Sequence, residues 1–245
     1  MRDFITCLEF LTRVRFSKRT DWRDEDFSRS VPYFPLVGLV IGSLLAAVNY
    51  GLFYIETPLF LRVTLLLLAE IIITGGLMYD GFMDTADGVF SARSRERMLE
   101  IMKDSHVGSN AVLAIIILLL LKIAAYLELS GETLTWVLLT MSVATRTFMV
   151  VLIVNFPYAR KEGIGHMFTK YAKPFYTYIA FAVCAGIIAA CGLQYLAVAG
   201  ICFTVTLIIA QYLKTQLGGL TGDTYGALTE CGNVIYLLTA VFLLR

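Results

Sequence analysis

The chain has 245 residues, of which 58% are hydrophobic and only 16% are charged, and its mean hydropathy is +0.74. A soluble domain is nearer half apolar and a quarter charged, so the composition excludes an ordinary soluble protein and predicts an integral membrane protein. A net charge of +1, with no basic patch carrying interleaved aromatic residues, argues against nucleic acid as a partner. The five cysteines include no CxxC pair and favour neither disulfides nor zinc.

The N-terminal region is predicted to lie at the membrane surface. Phe4, Leu8 and Leu11 stand at helical spacing within residues 3–16, which is typical of a short amphipathic helix in the interface. Residues 17–30 are charged and rich in turn formers, so they predict a cytosolic loop.

Seven apolar segments follow, each near the roughly 20 residues that a bilayer core requires. They are residues 34–54, 59–79, 111–129, 134–156, 176–191, 193–212 and 225–244. The predicted fold is therefore all-α, a polytopic helix bundle of about seven transmembrane helices plus short interfacial amphipathic helices. No soluble domain separates from it, and residues 1–245 are predicted to form a single membrane-embedded catalytic domain.

The basic residues predict the orientation of this bundle. Sixteen lysines and arginines fall in the N-terminal region and the loops on its side, and only two, Arg62 and Arg245, fall on the opposite side. By the positive-inside rule, the N-terminus and every long polar loop are expected in the cytosol and the C-terminus outside.

Asp80, Asp84 and Asp87 follow the second apolar segment at i, i+4 and i+7. On a helix these positions share one face, where like charges repel and a cation would relieve them. Oxygen ligands without nearby His or Cys favour Mg²⁺ or Mn²⁺ over zinc. The alternative is a solvated acidic face.

Residues 94–104 predict a second amphipathic helix. A polar stripe begins at Arg93, just before this helix, and continues on it with Arg97, Glu100 and Asp104. The arginines suit phosphate binding, and Asp104 could supply a fourth carboxylate or a base. A stripe of surface ion pairs is the alternative.

Two glycine-rich stretches and one basic loop are predicted on the same membrane face. Gly75–Gly76 allow close helix approach or a local break, and residues 218–226 offer backbone N–H groups to an anion. Asp223 could ligate a metal or cap the last helix. Arg160 belongs to a short basic loop whose position also follows from the positive-inside bias.

Acids for a divalent cation, arginines and glycine turns on one face are what phosphoryl transfer requires. The residues alone thus predict a membrane-embedded, divalent-cation-dependent enzyme acting on a phosphate or pyrophosphate. The contrasting class is a transporter, for which Glu70, Lys122 and Arg146 could line a path. Against it, the acids cluster at one membrane end.

The longest motif resembles the signature of the cobalamin synthase (adenosylcobinamide-GDP ribazoletransferase) family. It reads Gly75-Gly76-x-x-x-Asp80-Gly81-x-x-Asp84-Thr85-x-Asp87-Gly88-x-x-Ser91-Ala92-Arg93. Residues 97–105, the late Gly218-Gly219-x-Thr221-Gly222-Asp223-Thr224 and the early Phe34-Pro35-Leu36-x-Gly38 are similar too, so the resemblance covers nearly the whole chain.

The resemblance implies a transferase of the late, nucleotide-loop stage of cobalamin (vitamin B12) biosynthesis. Its members join α-ribazole or α-ribazole 5′-phosphate to adenosylcobinamide-GDP and release GMP, with Mg²⁺ as cofactor. It implies a multi-pass protein of the bacterial or archaeal cell (inner) membrane with a cytosolic active site. Besides these substrates and the lipid bilayer, a homo-oligomer is an open possibility.

A weaker resemblance connects the same motif to CDP-alcohol phosphatidyltransferases, which are phospholipid synthases. The chain departs from that pattern because three residues separate Gly88 from Ala92 and no further spaced aspartates follow.

The resulting hypothesis assigns each site residue a role. Asp80, Asp84, Asp87 and Asp223 are expected to hold the metal, and Asp84, Asp104 and Arg93 to take part in catalysis. The expected phosphate-binding set is Arg13, Arg93, Arg97, Lys103, Arg160, Gly75, Gly76, Gly218, Gly219 and Thr221.

Overall fold

The computed structural model describes residues 2–15, 23–129 and 131–244, and the regular elements in these ranges are helical. One short 3-10 helix, Val31–Tyr33, precedes the first long helix. The α-helices are α1 (Arg2–Leu11), α2 (Asp24–Ser30), α3 (Phe34–Tyr54), α4 (Leu59–Thr74), α5 (Leu77–Phe90), α6 (Arg95–Ile101), α7 (Ser109–Glu128), α8 (Gly131–Asn155), α9 (Ile164–Lys170), α10 (Phe175–Cys191), α11 (Leu193–Leu217) and α12 (Gly222–Leu244). The all-α prediction is confirmed.

Helix α8 forms the centre of the bundle. Its most apolar stretch is 89% buried, and α3, α10, α11 and α12 pack around it. A buried amide joins α3 to the start of α8: Asn49 Nδ2 donates to Gly131 O at 3.0 Å and to Thr135 Oγ1 at 2.9 Å. Helix α7, by contrast, exposes Leu113 and Leu120, each about 60%, as expected of side chains that face lipid.

Five helices of the described chain are long and apolar enough to cross a membrane, namely α7, α8, α11, α12 and the helical stretch that ends with α3. These correspond to five of the seven predicted segments. Helix α10 is a shorter apolar helix, and α4 passes the same test only when it is joined to α5.

The predicted second span, residues 59–79, is wrong beyond Thr74. Helix α4 ends there, and α5 leaves at 92° to it. Gly75 and Gly76 make the turn with φ angles of 68° and 72°, in the left-handed region that residues with a Cβ rarely adopt. The break removes α5 from the axis of α4, so the acidic stripe lies outside the five long apolar helices.

The predicted loop over residues 17–30 is wrong in its second half. Helix α2 occupies Asp24–Ser30, because Asp26 pairs with Arg29 at 2.9 Å and the Ser28 hydroxyl donates to the Met167 carbonyl near α9. Residues 16–22 lie outside the described part of the chain. The two amphipathic helices are present as α1 and α6, each shorter than predicted, with Leu8, Leu11 and Met98 buried.

Candidate active site

Helix α5 carries the acidic stripe that the spacing predicts. Along its axis the three carboxylates pass from exposed Asp80 through partly buried Asp84 to buried Asp87. Asp87 is buried where α5 meets the start of α7, whereas Asp80 lies near the turn after Gly76. The three acids therefore share a helix face but have different surroundings.

Asp87 binds the N-terminus of α7. Its Oδ2 accepts from Gly108 N at 2.6 Å and its Oδ1 from Ala111 N at 2.8 Å. The residue at the α7 N-cap is Gly108, which has no side chain to satisfy the free N–H groups of the first turn. A buried carboxylate from α5 does so instead, and the positive end of the helix dipole favours its charge.

A close crossing of α5 and α12 brings Asp223 to this stripe. A Cβ on Gly81 would lie 2.7 Å from Asp223 O, and a Cβ on Gly226 would lie 3.0 Å from Met78 O. A side chain at Gly81 would force the two helices apart, and one at Gly226 would press on the backbone of α5. The Asp223 carboxylate, in the first turn of α12, thereby joins the surroundings of Asp80 and Asp84.

Arg160 reaches the same place through paired backbone segments. Ala159 N donates to Leu220 O at 2.7 Å, and Leu220 N donates to Pro157 O at 2.8 Å. This pairing places Arg160 Nη1 2.8 Å from Asp223 Oδ2. Arg160 Nε and Nη2 are buried and have no hydrogen-bond partner among the described residues. A buried donor without a partner is costly, so these two N–H groups favour an anionic ligand.

The acids are only partly compensated by this arginine. Burial, together with the carboxylates of Asp80 and Asp223 and against the opposing effect of Arg160, raises the pKa of Asp84 to about 7. A cation bound between these carboxylates would remove the repulsion that contributes to this shift.

Three cavities of the described chain share Asp80. The first, of about 240 Å³, is lined by Arg160, Asp223 and Tyr225 together with apolar side chains. The second, of about 610 Å³, is lined by Arg13, Arg15 and the Gly75–Gly76 turn. The third cavity, of about 260 Å³, is lined by residues of the acidic stripe and of the α6–α7 loop. They include Asp80, Asp84, Asp87, Lys103, Asp104 and His106.

The second cavity is held in place by the N-terminal segment. Arg13 N donates to Ile73 O at 2.8 Å, which joins the residue after α1 to the end of α4. The N-cap of α5, Gly76, makes no side-chain cap. Helix α5 therefore directs its first N–H groups and the positive end of its dipole to a region that also contains exposed Arg13 and Arg15.

Asp104 is an exposed acid at the edge of the third cavity. His106 Nδ1 lies 2.6 Å from Asp104 Oδ1, and this hydrogen bond lowers the pKa of Asp104 while raising that of His106. As a proton acceptor, Asp104 is consequently weaker than an isolated aspartate.

Other predicted site residues lie at the surface or make structural contacts. Arg93 and Arg97 are exposed and line none of the three cavities around Asp80; Arg97 pairs with Glu100 at 2.8 Å. Gly218 ends α11 at a φ of 73°, and Thr221 Oγ1 accepts from Thr224 N at 3.2 Å in the first turn of α12. Gly219 is the residue before the Leu220 pairing described above.

Sequence reasoning did not select Arg15 or Tyr225 as site residues. Arg15 stands two residues from Arg13, which is the signal that could have found it. The Tyr225 hydroxyl is buried without a partner in the described chain, beside the first cavity. Nothing in the sequence distinguishes it from the other tyrosines, because its position follows from the helix crossing.

The donor set fits Mg²⁺ only when a ligand contributes. In the ranges 2–15, 23–129 and 131–244, no three His, Cys, Asp or Glu side chains are arranged to hold a metal ion by themselves. Mg²⁺ is commonly held by one or two carboxylates together with substrate phosphates and water, not by a cage of protein ligands. Asp80, Asp84 and Asp223 suit that mode, whereas both oxygens of Asp87 already accept hydrogen bonds.

Comparison with known proteins decides the family. The family model described as cobalamin-5-phosphate synthase matches residues 3–241. The chain belongs to this family. The resemblance seen in the Gly75–Arg93 motif is thereby confirmed, and the phospholipid synthase and transporter alternatives are set aside.

Relatives in this family resemble the chain over most of their length. An adenosylcobinamide-GDP ribazoletransferase of Clostridium novyi (strain NT) is 36% identical over 242 residues, covering 97% of this chain and 96% of the relative. Proteins of the same name from Desulforamulus reducens and Escherichia coli O17:K52:H18 are 41% and 38% identical; they cover 91% and 96% of this chain and 89% and 97% of their own lengths. No solved structure matches the chain.

Proposed function

We propose that the chain is an adenosylcobinamide-GDP ribazoletransferase that joins α-ribazole or α-ribazole 5′-phosphate to adenosylcobinamide-GDP and releases GMP. The observation that carries this proposal is the similarity to relatives of that name over nearly the whole chain. The convergence of acids, arginines and three cavities on Asp80 supports it, because phosphoryl transfer depends mainly on positioning and on neutralising charge.

In the proposed reaction a hydroxyl oxygen of the acceptor bonds to the corrinoid-side phosphorus. The bond from that phosphorus to the GMP oxygen breaks, GMP leaves with the electron pair, and the hydroxyl proton passes to a base. Mg²⁺ held by Asp80, Asp84 and Asp223 would neutralise the charge that develops on the diphosphate. Either Asp104 or Asp223 takes the proton in this proposal, and Asp87 supports the site by fixing α7.

We propose that some cationic groups bind the corrinoid substrate and others bind the ribazole substrate. The two free N–H groups of Arg160 suit a phosphate in the first cavity. Arg13 and Arg15, with the start of α5, suit a phosphate in the wider second cavity, and Lys103 suits one in the third. Arg93 and Arg97, at the surface, would contact only a part of the substrate that extends beyond these cavities.

The site is proposed to face the cytosol of a bacterial or archaeal cell, at the inner membrane. The excess of lysine and arginine in the loops on the N-terminal side supports this orientation.

The test is GMP release by the purified full-length protein in lipid nanodiscs. Adenosylcobinamide-GDP, α-ribazole and Mg²⁺ are expected to yield GMP and the joined corrinoid in equal amounts. Omitting α-ribazole distinguishes transfer from hydrolysis, and chelating the metal with EDTA should stop the reaction. If neither α-ribazole nor its 5′-phosphate yields the joined product, the proposal is refuted.

A further inference from the structure

A cluster of charged side chains lies in the interior of the helix bundle, below the acidic stripe. Glu70 of α4, Lys122 of α7 and Glu230 of α12 are at most 3% exposed. Arg146 of α8 is 2% exposed and interacts electrostatically with Glu230. Charges inside a membrane protein are expensive and indicate a role, and the proposed chemistry uses none of these four.

Lys122 is the centre of this cluster. Its Nζ donates to Glu70 Oε1 at 2.7 Å, to Tyr79 Oη at 2.7 Å and to Glu230 Oε2 at 3.1 Å. A lysine ammonium has three N–H donors, so the three partners satisfy it completely. The partners come from three different helices, α4, α5 and α12, and Lys122 joins them from a fourth.

Two of these partners are close in sequence to the acids of the site. Tyr79 immediately precedes Asp80, in the first turn of α5. That turn follows Gly75–Gly76, whose backbone is unusually free to rotate, and it has no side-chain cap. Glu230 lies two helical turns after Asp223 on α12.

The remaining contacts are those of a network that holds its helices in one arrangement. Tyr126 Oη donates to Glu70 Oε2 at 3.5 Å, and Lys122 Nζ lies 4.8 Å from the centre of the Tyr79 ring. Glu70 and Glu230 balance Lys122 and Arg146 in formal charge. A buried, hydrogen-bonded charge network of this kind favours one arrangement of its helices, because any displaced member leaves an unpaired charge.

We propose that Lys122 is a positioning residue that sets Asp80 and Asp223 relative to each other through Tyr79 and Glu230. The proposal rests on the proposed function insofar as those two acids serve the transfer reaction. Lys122 itself touches neither substrate nor metal. Its ammonium fixes the direction in which α5 leaves the glycine turn and the position of α12 relative to α5.

The experiment compares two matched removals of a hydroxyl, Tyr79→Phe and Tyr126→Phe. Both tyrosines contact the same network, but only Tyr79 belongs to α5. The readouts are kcat and KM for GMP release, binding of Mn²⁺ to the protein in the presence of GDP by electron paramagnetic resonance, and thermal unfolding in nanodiscs. Tyr79→Phe is expected to lower kcat roughly tenfold, as a barrier increase of about 1.4 kcal/mol would, and to weaken Mn²⁺ binding. It should also lower the unfolding temperature, because it leaves one buried Lys122 N–H without a partner. Tyr126→Phe should leave kcat and Mn²⁺ binding within about twofold of the unsubstituted protein, because its 3.5 Å hydrogen bond to Glu70 is long and weak and does not involve α5 or α12.

A second variant excludes a direct effect of Tyr79, whose side chain borders the second cavity. Glu230→Gln changes a residue that lines none of the three cavities and should also lower kcat and weaken Mn²⁺ binding. If only Tyr79→Phe is impaired, or if Tyr79→Phe and Tyr126→Phe behave alike, the positioning role is overturned.

The Mn²⁺ readout separates this inference from the proposed function. If the unsubstituted protein releases no GMP, the proposed function fails, and Mn²⁺ binding alone decides the positioning role. Weaker binding in Tyr79→Phe and Glu230→Gln, but not in Tyr126→Phe, then supports it. Equal affinity in all proteins, or no Mn²⁺ binding by the unsubstituted protein, overturns it.

Discussion

Asp84 and Asp87 share one helix face, and we expect different tasks of them. Asp87 is occupied by the backbone N–H groups of Gly108 and Ala111, whereas Asp84 stands among other carboxylates at the cavities. The sequence predicted their common face because a helix has a fixed period. It could not predict the partners of Asp87, which are more than 20 residues away along the chain and meet it only through the packing of α7 on α5.

Matched amide substitutions should separate these two tasks. Asp84→Asn is expected to lower kcat for GMP release by roughly 100-fold or more, since it removes a carboxylate ligand of the proposed Mg²⁺, with little change in thermal unfolding. Asp87→Asn is expected to lower the free energy of unfolding by about 1–3 kcal/mol, because an amide accepts less strongly from the α7 N-terminus. Full activity of Asp84→Asn, or unchanged unfolding of Asp87→Asn, would contradict these assignments.

At the scale of the elements, the hydropathy pattern predicted the positions of most helices correctly. It did not predict the point at which α4 breaks from α5. Helix α3 begins and ends at residues 34 and 54, as predicted, because a long apolar run has no competing interpretation. The glycines at 75 and 76 indicated a local break, but the 92° direction of α5 depends on contacts with α7 and α12. The closeness of α5 to α12 was equally invisible, since Gly81 and Gly226 are far apart in sequence.

The α5–α12 crossing predicts a strong effect of one methyl group. In Gly81→Ala the new Cβ would lie 2.7 Å from Asp223 O, a backbone atom that cannot rotate away. The helices must separate, so kcat for GMP release should fall at least about tenfold and the unfolding temperature should fall as well. The control is Gly186→Ala in α10, where a Cβ meets no atom within 4 Å. It should retain full activity and gain slightly in stability, as alanine does over glycine in a helix.

At the scale of the whole molecule, the charge distribution predicts which face carries the site. Fold class and family could be read from the sequence, because apolar periodicity and one long motif are local signals. The arrangement of the three cavities could not be read, because each combines residues from distant parts of the chain.

Cysteine labelling in intact bacterial cells tests the orientation. Ser105→Cys, in the exposed loop between α6 and α7, should be protected from a membrane-impermeant maleimide and become labelled in inverted vesicles. Ile55→Cys, after α3 and 69% exposed, should show the reverse pattern. The unsubstituted chain serves as the background for its five native cysteines. Labelling of Ser105→Cys in intact cells would place the site on the other face.

The right-angle turn between α4 and α5 also bears on how large a reactant the bundle can serve. A straight continuation of α4 would have carried the acids onward along that helix axis, away from the start of α7 and from Asp223 of α12. Because α5 runs at 92° to α4, its carboxylates instead border cavities that several helices line. In the proposed reaction only the diphosphate of a bulky donor has to enter these cavities, whose volumes are about 240 and 260 Å³, so the macrocycle would stay outside them.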